Sequence, residues 1–247
     1  MERQPVGLSI ITRANRAFSQ GNDLWDAMGL LSSDVEGRKV AMEELKAATP
    51  AGAARRQAFR DALEETQHEY NGLGVEMNQR YDGSIAIYSL DEKANGISQP
   101  GEVDDPFGSA RVLTYTPSTI PGRRLPHAWL NTATPNEEQI STHDLAGKGS
   151  FCLFTGVGGD PWLKAAKKIK DNSQLPLNAY SIGYRQDWED VYNDWARVRG
   201  VEETGCVLVR PDRFVCWRFP SVLEDEQQCE ERLRGVLDVV LGKKLEQ

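Results

Sequence analysis

The fold is decided by the run Ser150-Phe151-Cys152-Leu153-Phe154-Thr155, which is apolar between its two terminal hydroxyl residues. A short apolar run without helical periodicity predicts a strand that is buried on both faces. Pro161 then opens a segment with apolar residues at helical spacing, and Pro176–Tyr184 contains a second strand. This alternation predicts two parallel strands joined by a crossover helix.

The segments that follow complete a compact domain. A helix is predicted over Asp187–Val198, and a last helix begins near Glu224. Two strands between these helices, Cys206–Arg210 and Phe214–Arg218, form a predicted hairpin. The resulting order β-α-β-α-β-β-α is the thioredoxin-like arrangement. The fold class is therefore predicted to be α/β, with an α+β region before this domain.

The first third of the chain is predicted to be helical. Four helices are expected before residue 71, and they begin near Pro5, Asn22, Ser32 and Ala51. Short strands are predicted at Ser84–Tyr88 and Arg111–Tyr115. The expected organisation has three parts: helices and short strands over residues 1–120, a proline-rich linker over 121–148, and the thioredoxin-like domain over 149–247.

Charge and segment composition exclude several classes of protein. The 247 residues carry a formal net charge of -8, which argues against a general nucleic-acid or anionic-membrane binder. No apolar run is long enough to span a bilayer. The segment Met1–Pro5 lacks the apolar core of a signal peptide, so a cytoplasmic location is predicted.

Sulfur chemistry and nucleotide binding have no recognisable motif in this chain. The four cysteines lack metal-ligand spacing and are predicted to be reduced and buried: Cys152, Cys206, Cys216 and Cys229. A redox pair between Cys206 and Cys216 is the alternative. The turn Gly156–Trp162 occupies the place of a thioredoxin's reactive cysteine but holds no sulfur, which excludes disulfide exchange there. Dinucleotide and P-loop fingerprints are absent, so neither a cofactor nor a metal is expected in this chain.

Two polar segments contain the candidate site residues. In Pro121–Leu130, a histidine and an arginine are the candidate catalytic residues, His127 and Arg124. The candidate substrate-binding residues are polar or aromatic and lie in both segments: Asn78, Arg80, Tyr81 and Trp129. The alternative is a structural network of arginines where two subdomains meet. His143-Asp144 is predicted to be only a turn.

Several of these segments together resemble the C-terminal part of FAD-dependent aromatic hydroxylases of the phenol 2-monooxygenase and dichlorophenol monooxygenase kind. They cover nearly the whole chain: Glu2–Gly7, Arg13–Asn15, His68–Tyr81, Pro121–Leu130 and Val209–Arg218. The resemblance implies a thioredoxin-like domain without redox cysteines that is often used in dimer contacts. It also implies hydroxylation of phenolic compounds with FAD and NAD(P)H. The family's flavin-binding motifs have no counterpart in this sequence, so FAD and NAD(P)H are expected only if a partner supplies that region.

Three functions remain open from the sequence. The first is a truncated or split portion of an aromatic monooxygenase, which contributes dimerisation and substrate-pocket walls and does not hydroxylate alone. Its expected partners are a second copy, a separately encoded FAD-binding subunit, and an aromatic or polyketide small molecule. The second is a stand-alone, cofactor-independent cyclase or isomerase that acts on such a molecule by positioning it. The third is a noncatalytic dimerisation module.

Overall fold

A computed structural model gives the structure of residues 11–12, 14–18, 21–81, 83–91, 113–132 and 137–243. The chain divides into two compact units, which we call the helical unit (Met1–Met77 and Glu102–Thr116) and the sheet unit (Asn78–Gly101 and Pro117–Gln247). The boundaries predicted from sequence at residues 120 and 148 stay predictions. No helix in the described ranges combines the length and apolar character needed to cross a bilayer.

The helical unit begins with helical residues 14–18, while the predicted helix start at Pro5 lies outside the described residues. Its further helices are α1 Gly21–Ala27, α2 Val35–Lys46, α3 Pro50–Tyr70 and α4 Leu73–Met77. Asp34 caps α2 by accepting hydrogen bonds from two backbone N–H groups, so the cap lies one residue after Ser33, the later of the two predicted caps, Ser32 and Ser33. Thr49 caps α3, and Pro50 occupies its first turn, where no intrahelical donor is needed.

Besides the helical residues 90–91, the described part of the sheet unit contains six strands and four helices. They are β1 Trp129–Leu130, β2 Ile140–Ser141, α5 Thr142–Leu145, β3 Phe151–Thr155, α6 Asp160–Ser173, β4 Leu177–Ser181, α7 Asp194–Val198, β5 Cys206–Val209, β6 Val215–Phe219 and α8 Glu226–Leu241. The main sheet has the order β4-β3-β5-β6, with β3 parallel to β4 and the other pairs antiparallel. Element order and strand directions confirm the predicted thioredoxin-like fold.

Both faces of the main sheet are covered, because its strands alternate between two apolar cores. Leu153 and Leu208 face a core under α6 and α8, where Trp162 and Trp217 are fully buried. Phe154 and its neighbours face a second core with α7 and the segment before β1. This burial on both sides explains why β3 is a continuous apolar run rather than an alternating one.

The predicted strand at Ser84–Tyr88 is wrong. Residues 84–88 form a turn that is closed by a hydrogen bond from the Ile87 N–H to the Ser84 carbonyl, at 3.1 Å. The Ser84 hydroxyl accepts a further bond from Ala86 N–H, which stabilises the turn against an extended strand. Of the second predicted strand, Arg111 and Val112 lie outside the described residues, and Thr114 and Tyr115 are not in a strand.

The predicted helix Asp187–Val198 is too long, since only Asp194–Val198 is helical. The Asp187 carboxylate accepts bonds from the Ser181 N–H and hydroxyl, both at 2.9 Å. Asp190 accepts bonds from two N–H groups at the start of α7. These side-chain bonds compete with the helix and hold residues 187–193 in a loop.

Candidate functional site: rings, guanidinium groups and paired histidines beside β6

The proline-rich segment extends the main sheet beyond β6. The Val215 N–H donates to the Arg123 carbonyl and the Gly122 N–H donates to the Val215 carbonyl, both at 2.8 Å. On its outer side, the Tyr81 N–H donates to the Gly122 carbonyl at 2.9 Å, and Arg80 pairs with Arg123. These bonds bring the two candidate segments together along one edge of the sheet.

Gly122 is required at this junction. Its φ is +93°, a region that L side chains rarely adopt, and an added Cβ would lie 2.9 Å from the Tyr81 carbonyl oxygen. A side chain here would therefore push the Arg80–Tyr81 segment away from the sheet.

A ring and guanidinium cluster, defined as Tyr81, Phe214, Arg124 and Arg210, forms on one side of this extension. The Tyr81 and Phe214 rings meet edge to face with centroids 4.6 Å apart. Arg124 lies 5.4 Å from the Phe214 centroid, and Arg210 lies 5.4 Å from the Tyr81 centroid. The predicted residues Tyr81 and Arg124 are thus brought together by their shared contact with Phe214, which was not a predicted site residue. Asn78 lies half-buried at the start of the same segment.

A histidine pair, His127 and His143, forms at the base of the β1–β2 hairpin, with His127 before β1 and His143 in α5. The imidazole rings are 6.2 Å apart, and the His127 ring meets Trp129 edge to face at 4.7 Å. His127 Nδ1 lies 2.7 Å from Ser141 Oγ. The predicted residues His127 and Trp129 are therefore in contact, and Ser141 and His143 are additional members of the site.

Ser141 is fixed by the helix that follows it and is not an exposed nucleophile. Its buried hydroxyl accepts the His143 N–H, and the Asp144 carboxylate accepts the Ser141 N–H at 2.8 Å, which is a capping box. The predicted turn at His143-Asp144 is thus the first turn of α5. Of the Ser141 and His127 side chains, only the exposed His127 ring is accessible to a ligand from solvent.

His143 is held as a neutral imidazole. Burial lowers its pKa from the ordinary value, and the positive charges of Arg213 and Arg124 and its neighbour His127 lower it further, against the hydrogen bond to Leu125. Since a carbonyl oxygen only accepts, Nε2 of His143 carries the proton that it donates to the Leu125 carbonyl, at 2.7 Å. His143 therefore adds no positive charge beside the His127 ring.

The residues at this site can bind an anionic or aromatic group, and the imidazole at the edge of the site can transfer a proton. Arg124 supplies a cation, Trp129 supplies an aromatic face that is 43% exposed, and His127 supplies an imidazole ring. No three His, Cys, Asp or Glu side chains within the described ranges converge as metal ligands.

Ser141, His143 and Phe214 are missed by sequence reasoning because each contact depends on strand pairing. Trp129 is opposite Ser141 in the β1–β2 register, and Arg124 is opposite Phe214. Two short apolar segments around a polar loop, at Trp129-Leu130 and Ile140, are the signal that could have indicated the hairpin.

The Gly156–Gly159 turn at the start of α6 does not fit the pyrophosphate of a dinucleotide such as FAD. An added Cβ at Gly159 would lie 1.9 Å from Thr155 Oγ1, and one at Gly156 would lie 2.6 Å from the Glu203 carbonyl oxygen. The glycines therefore allow close packing of the chain on itself. Asp160 adds a negative charge at this helix N-terminus.

All four cysteines are free and buried, which confirms the predicted reduced thiols. Burial raises the pKa of each thiol, most strongly at Cys206, Cys216 and Cys152. Because the thiolate is the reactive form, we expect no reaction of the folded chain with Ellman's reagent and four equivalents of reaction in denaturant. Rapid reaction of any thiol in the folded chain would contradict this burial.

Comparisons with known proteins agree with this fold. Residues 118–243 match the family model described as aromatic-ring hydroxylase, C-terminal. Phenol 2-monooxygenase of Pseudomonas sp. (strain EST1001) is 38% identical over 92% of this chain and 35% of its own length. For 2,4-dichlorophenol 6-monooxygenase of Delftia acidovorans the identity is 36%, over 98% of this chain and 38% of that protein. This chain therefore spans little more than a third of the length of these curated relatives.

Solved structures show the same similarity. The flavin-dependent monooxygenase PieE, in complex with FAD and substrate, matches with a TM-score of 0.70 and 33% identity, over 98% of this chain and 39% of that one. Aklavinone-11 hydroxylase, in a ternary complex with FAD and aklavinone, matches with a TM-score of 0.54 and 29% identity, over 83% of this chain and 34% of that one.

Proposed function

Because the chain belongs to the aromatic-ring hydroxylase C-terminal family, we propose that it is the C-terminal portion of an FAD-dependent aromatic monooxygenase whose flavin-binding region lies on other residues. In this proposal the sheet unit contributes a wall of the pocket for a phenolic or polyketide substrate. FAD, reduced by NAD(P)H, supplies the oxygen-activating chemistry when bound. The residues of this chain bind and orient the substrate.

The observation that carries this proposal is the exposed apolar surface of the helical unit. Large apolar side chains on α1, α2, α3 and the turn after α1 are about half exposed or more: Trp25, Leu31, Val40 and Tyr70. Exposed apolar side chains in this number are typical of a surface that packs against another polypeptide region. A flavin-binding region is the partner that the family implies, and a second copy of the chain in a dimer is the other proposed contact.

Within the proposed pocket wall, Arg124 and His127 have separate functions. The Arg124 guanidinium, held against the Phe214 ring, attracts the oxygen of a phenolic or phenolate substrate. His127, oriented by Ser141 and Trp129, exchanges a proton with the same class of hydroxyl group. Tyr81, Arg80 and Asn78 are proposed as binding residues of the neighbouring segment.

A hybrid enzyme tests this proposal. The part of PieE that this chain matches is replaced by this chain, and FAD content and substrate-dependent NAD(P)H oxidation are measured. We expect a yellow, FAD-containing hybrid that oxidises NAD(P)H when substrate is added. In that hybrid, Arg124→Ala and His127→Ala should each lower the substrate-dependent rate at least about tenfold, because each removes a binding or proton-transfer group.

The control is Arg185→Ala, which removes an exposed guanidinium that contacts only the neighbouring Tyr184 ring among the described ring contacts. It should leave the rate unchanged. A folded, FAD-loaded hybrid that never oxidises NAD(P)H with substrate would count against the monooxygenase proposal. Full activity in both the Arg124 and His127 variants would leave the enzyme proposal intact but remove these residues from it.

A further inference from the structure

One edge of the main sheet is covered, and the other is open along the first part of its edge strand, β4. Beyond β6, the Gly122–Arg124 segment adds a further strand-like layer, and the Tyr88 N–H donates to the Cys216 carbonyl at 2.7 Å. At the opposite edge, Ser181 at the end of β4 donates to the Asp187 carboxylate and accepts the Trp188 N–H, while Leu177 and Ala179 have no such backbone partner among the described residues. An open edge strand presents unpaired N–H and C=O groups that can accept another strand.

The register identifies which groups face outward. The Phe151 N–H donates to the Pro176 carbonyl at 2.8 Å, and the Ile182 N–H donates to the Thr155 carbonyl at 2.9 Å. In a parallel ladder, every second residue of a strand forms its backbone hydrogen bonds with the same neighbouring strand. The backbone groups of the even-numbered residues of β4 therefore point toward β3. The N–H and C=O groups of Leu177 and Ala179 therefore face the open edge.

A groove of about 330 Å³ runs between this edge and α6. Its lining combines apolar side chains, two lysines and no carboxylate: Leu163, Ala166, Lys167, Lys170, Leu177, Asn178, Ala179 and Tyr180. Lys167 pairs with Asp171 at the exposed surface, and Lys170 donates to the Asn178 side chain at 3.3 Å. These exposed contacts are weak and can be exchanged for a stronger ion pair.

We propose that the outer edge of β4 binds an extended acidic segment of another polypeptide as an additional strand. Its backbone would pair with Leu177 and Ala179. Its side chains on the α6 side would alternate between apolar residues, which contact Leu163 and Ala166, and carboxylates, which pair with Lys167 and Lys170. This is strand addition, in which the backbone supplies affinity and the pockets supply specificity.

Charge favours an acidic segment over a second copy of this chain. Two copies that pair through β4 around a two-fold axis form one continuous sheet, with both α6 helices side by side on the same face. Lys167 and Lys170 of each copy would then lie against those of the other, and like charges oppose this pairing. The same lysines attract a carboxylate-bearing strand.

The test uses the full chain and a fluorescein-labelled nine-residue peptide of about strand length, Thr-Val-Thr-Glu-Thr-Val-Thr-Glu-Thr. Binding is measured by fluorescence anisotropy. Two further peptides carry backbone N-methyl groups, one on the odd and one on the even positions. Because only alternate N–H groups of an added strand face β4, we expect one methylated peptide to lose at least about tenfold in affinity and the other to keep it. Equal binding of the two overturns the proposal.

Charge-reversal variants provide the second measurement. Lys167→Glu with Lys170→Glu should weaken binding of the unmodified peptide about tenfold at low salt. The matched control, Lys39→Glu with Lys46→Glu, changes net charge equally on exposed positions of α2 and should leave binding unchanged. Equal loss in both double variants overturns the proposal. Sedimentation measures self-association of the chain. If the chain self-associates and only the Lys167/Lys170 double variant changes this, the edge binds a second copy and the proposal is overturned.

Discussion

Trp217→Ala is expected to lower the free energy of unfolding of the sheet unit by about 3–5 kcal/mol, because it removes the largest class of core side chain. Trp217 is fully buried, and its ring packs against Trp162 and Phe219 with centroids 5.6 and 5.8 Å away. Its Nε1–H donates to the Asp91 carboxylate at 2.7 Å, so the substitution also removes a buried hydrogen bond. Urea unfolding followed by far-ultraviolet circular dichroism measures the change without relying on tryptophan fluorescence.

The matched control for this substitution is Trp25→Ala. Trp25 is 49% exposed on α1, so its removal should change the free energy of unfolding by less than about 1 kcal/mol. If both variants unfold at the same urea concentration as the unmodified chain, the sheet core described above is wrong.

Asp91→Ala is expected to cost about 2–3 kcal/mol, although it deletes only a small polar side chain. The Asp91 carboxylate is 4% exposed and accepts hydrogen bonds from Trp217 and from the guanidinium of Arg232. Its removal leaves a buried indole N–H and a partly buried cation without this acceptor, and unmet donors are more costly than a lost bond. The value is below that of a fully buried ion pair because the Arg232 side chain is 34% exposed.

Two further variants separate the contributions at Asp91. Asp91→Asn keeps an acceptor for the Trp217 N–H but removes the charge opposite Arg232, so it should be less destabilising than Asp91→Ala. Asp212→Ala breaks the exposed pair with Arg210, formed at 2.8 Å, and should cost less than about 1 kcal/mol. Urea unfolding measures all three, and equal losses for Asp91→Ala and Asp212→Ala would contradict the burial argument.

The segment that precedes Asp91 shows a limit of predicting strands from residue type. This segment was expected to form a strand, because Ile85, Ile87 and Tyr88 have high strand propensity. In the structure this segment is held by a turn, by one backbone bond to β6 and by the buried Asp91 carboxylate. Ile87 and Tyr88 pack on the core without strand pairing, while Ile85 is exposed, and the sequence alone does not distinguish this arrangement from a strand.

The sequence by itself determined the element order of the sheet unit from β3 to α8 and the family. Apolar runs, helical spacing and capping residues act over a few residues, so they can be identified along the chain. Only the tertiary structure decided which further residues join the predicted ones at the candidate site. Phe214 reaches Tyr81 only because residues 122–124 pair with β6, and His143 reaches His127 only through the β1–β2 register. Such pairings depend on backbone groups distant in sequence, which every residue type carries, and the side-chain pattern therefore does not specify them.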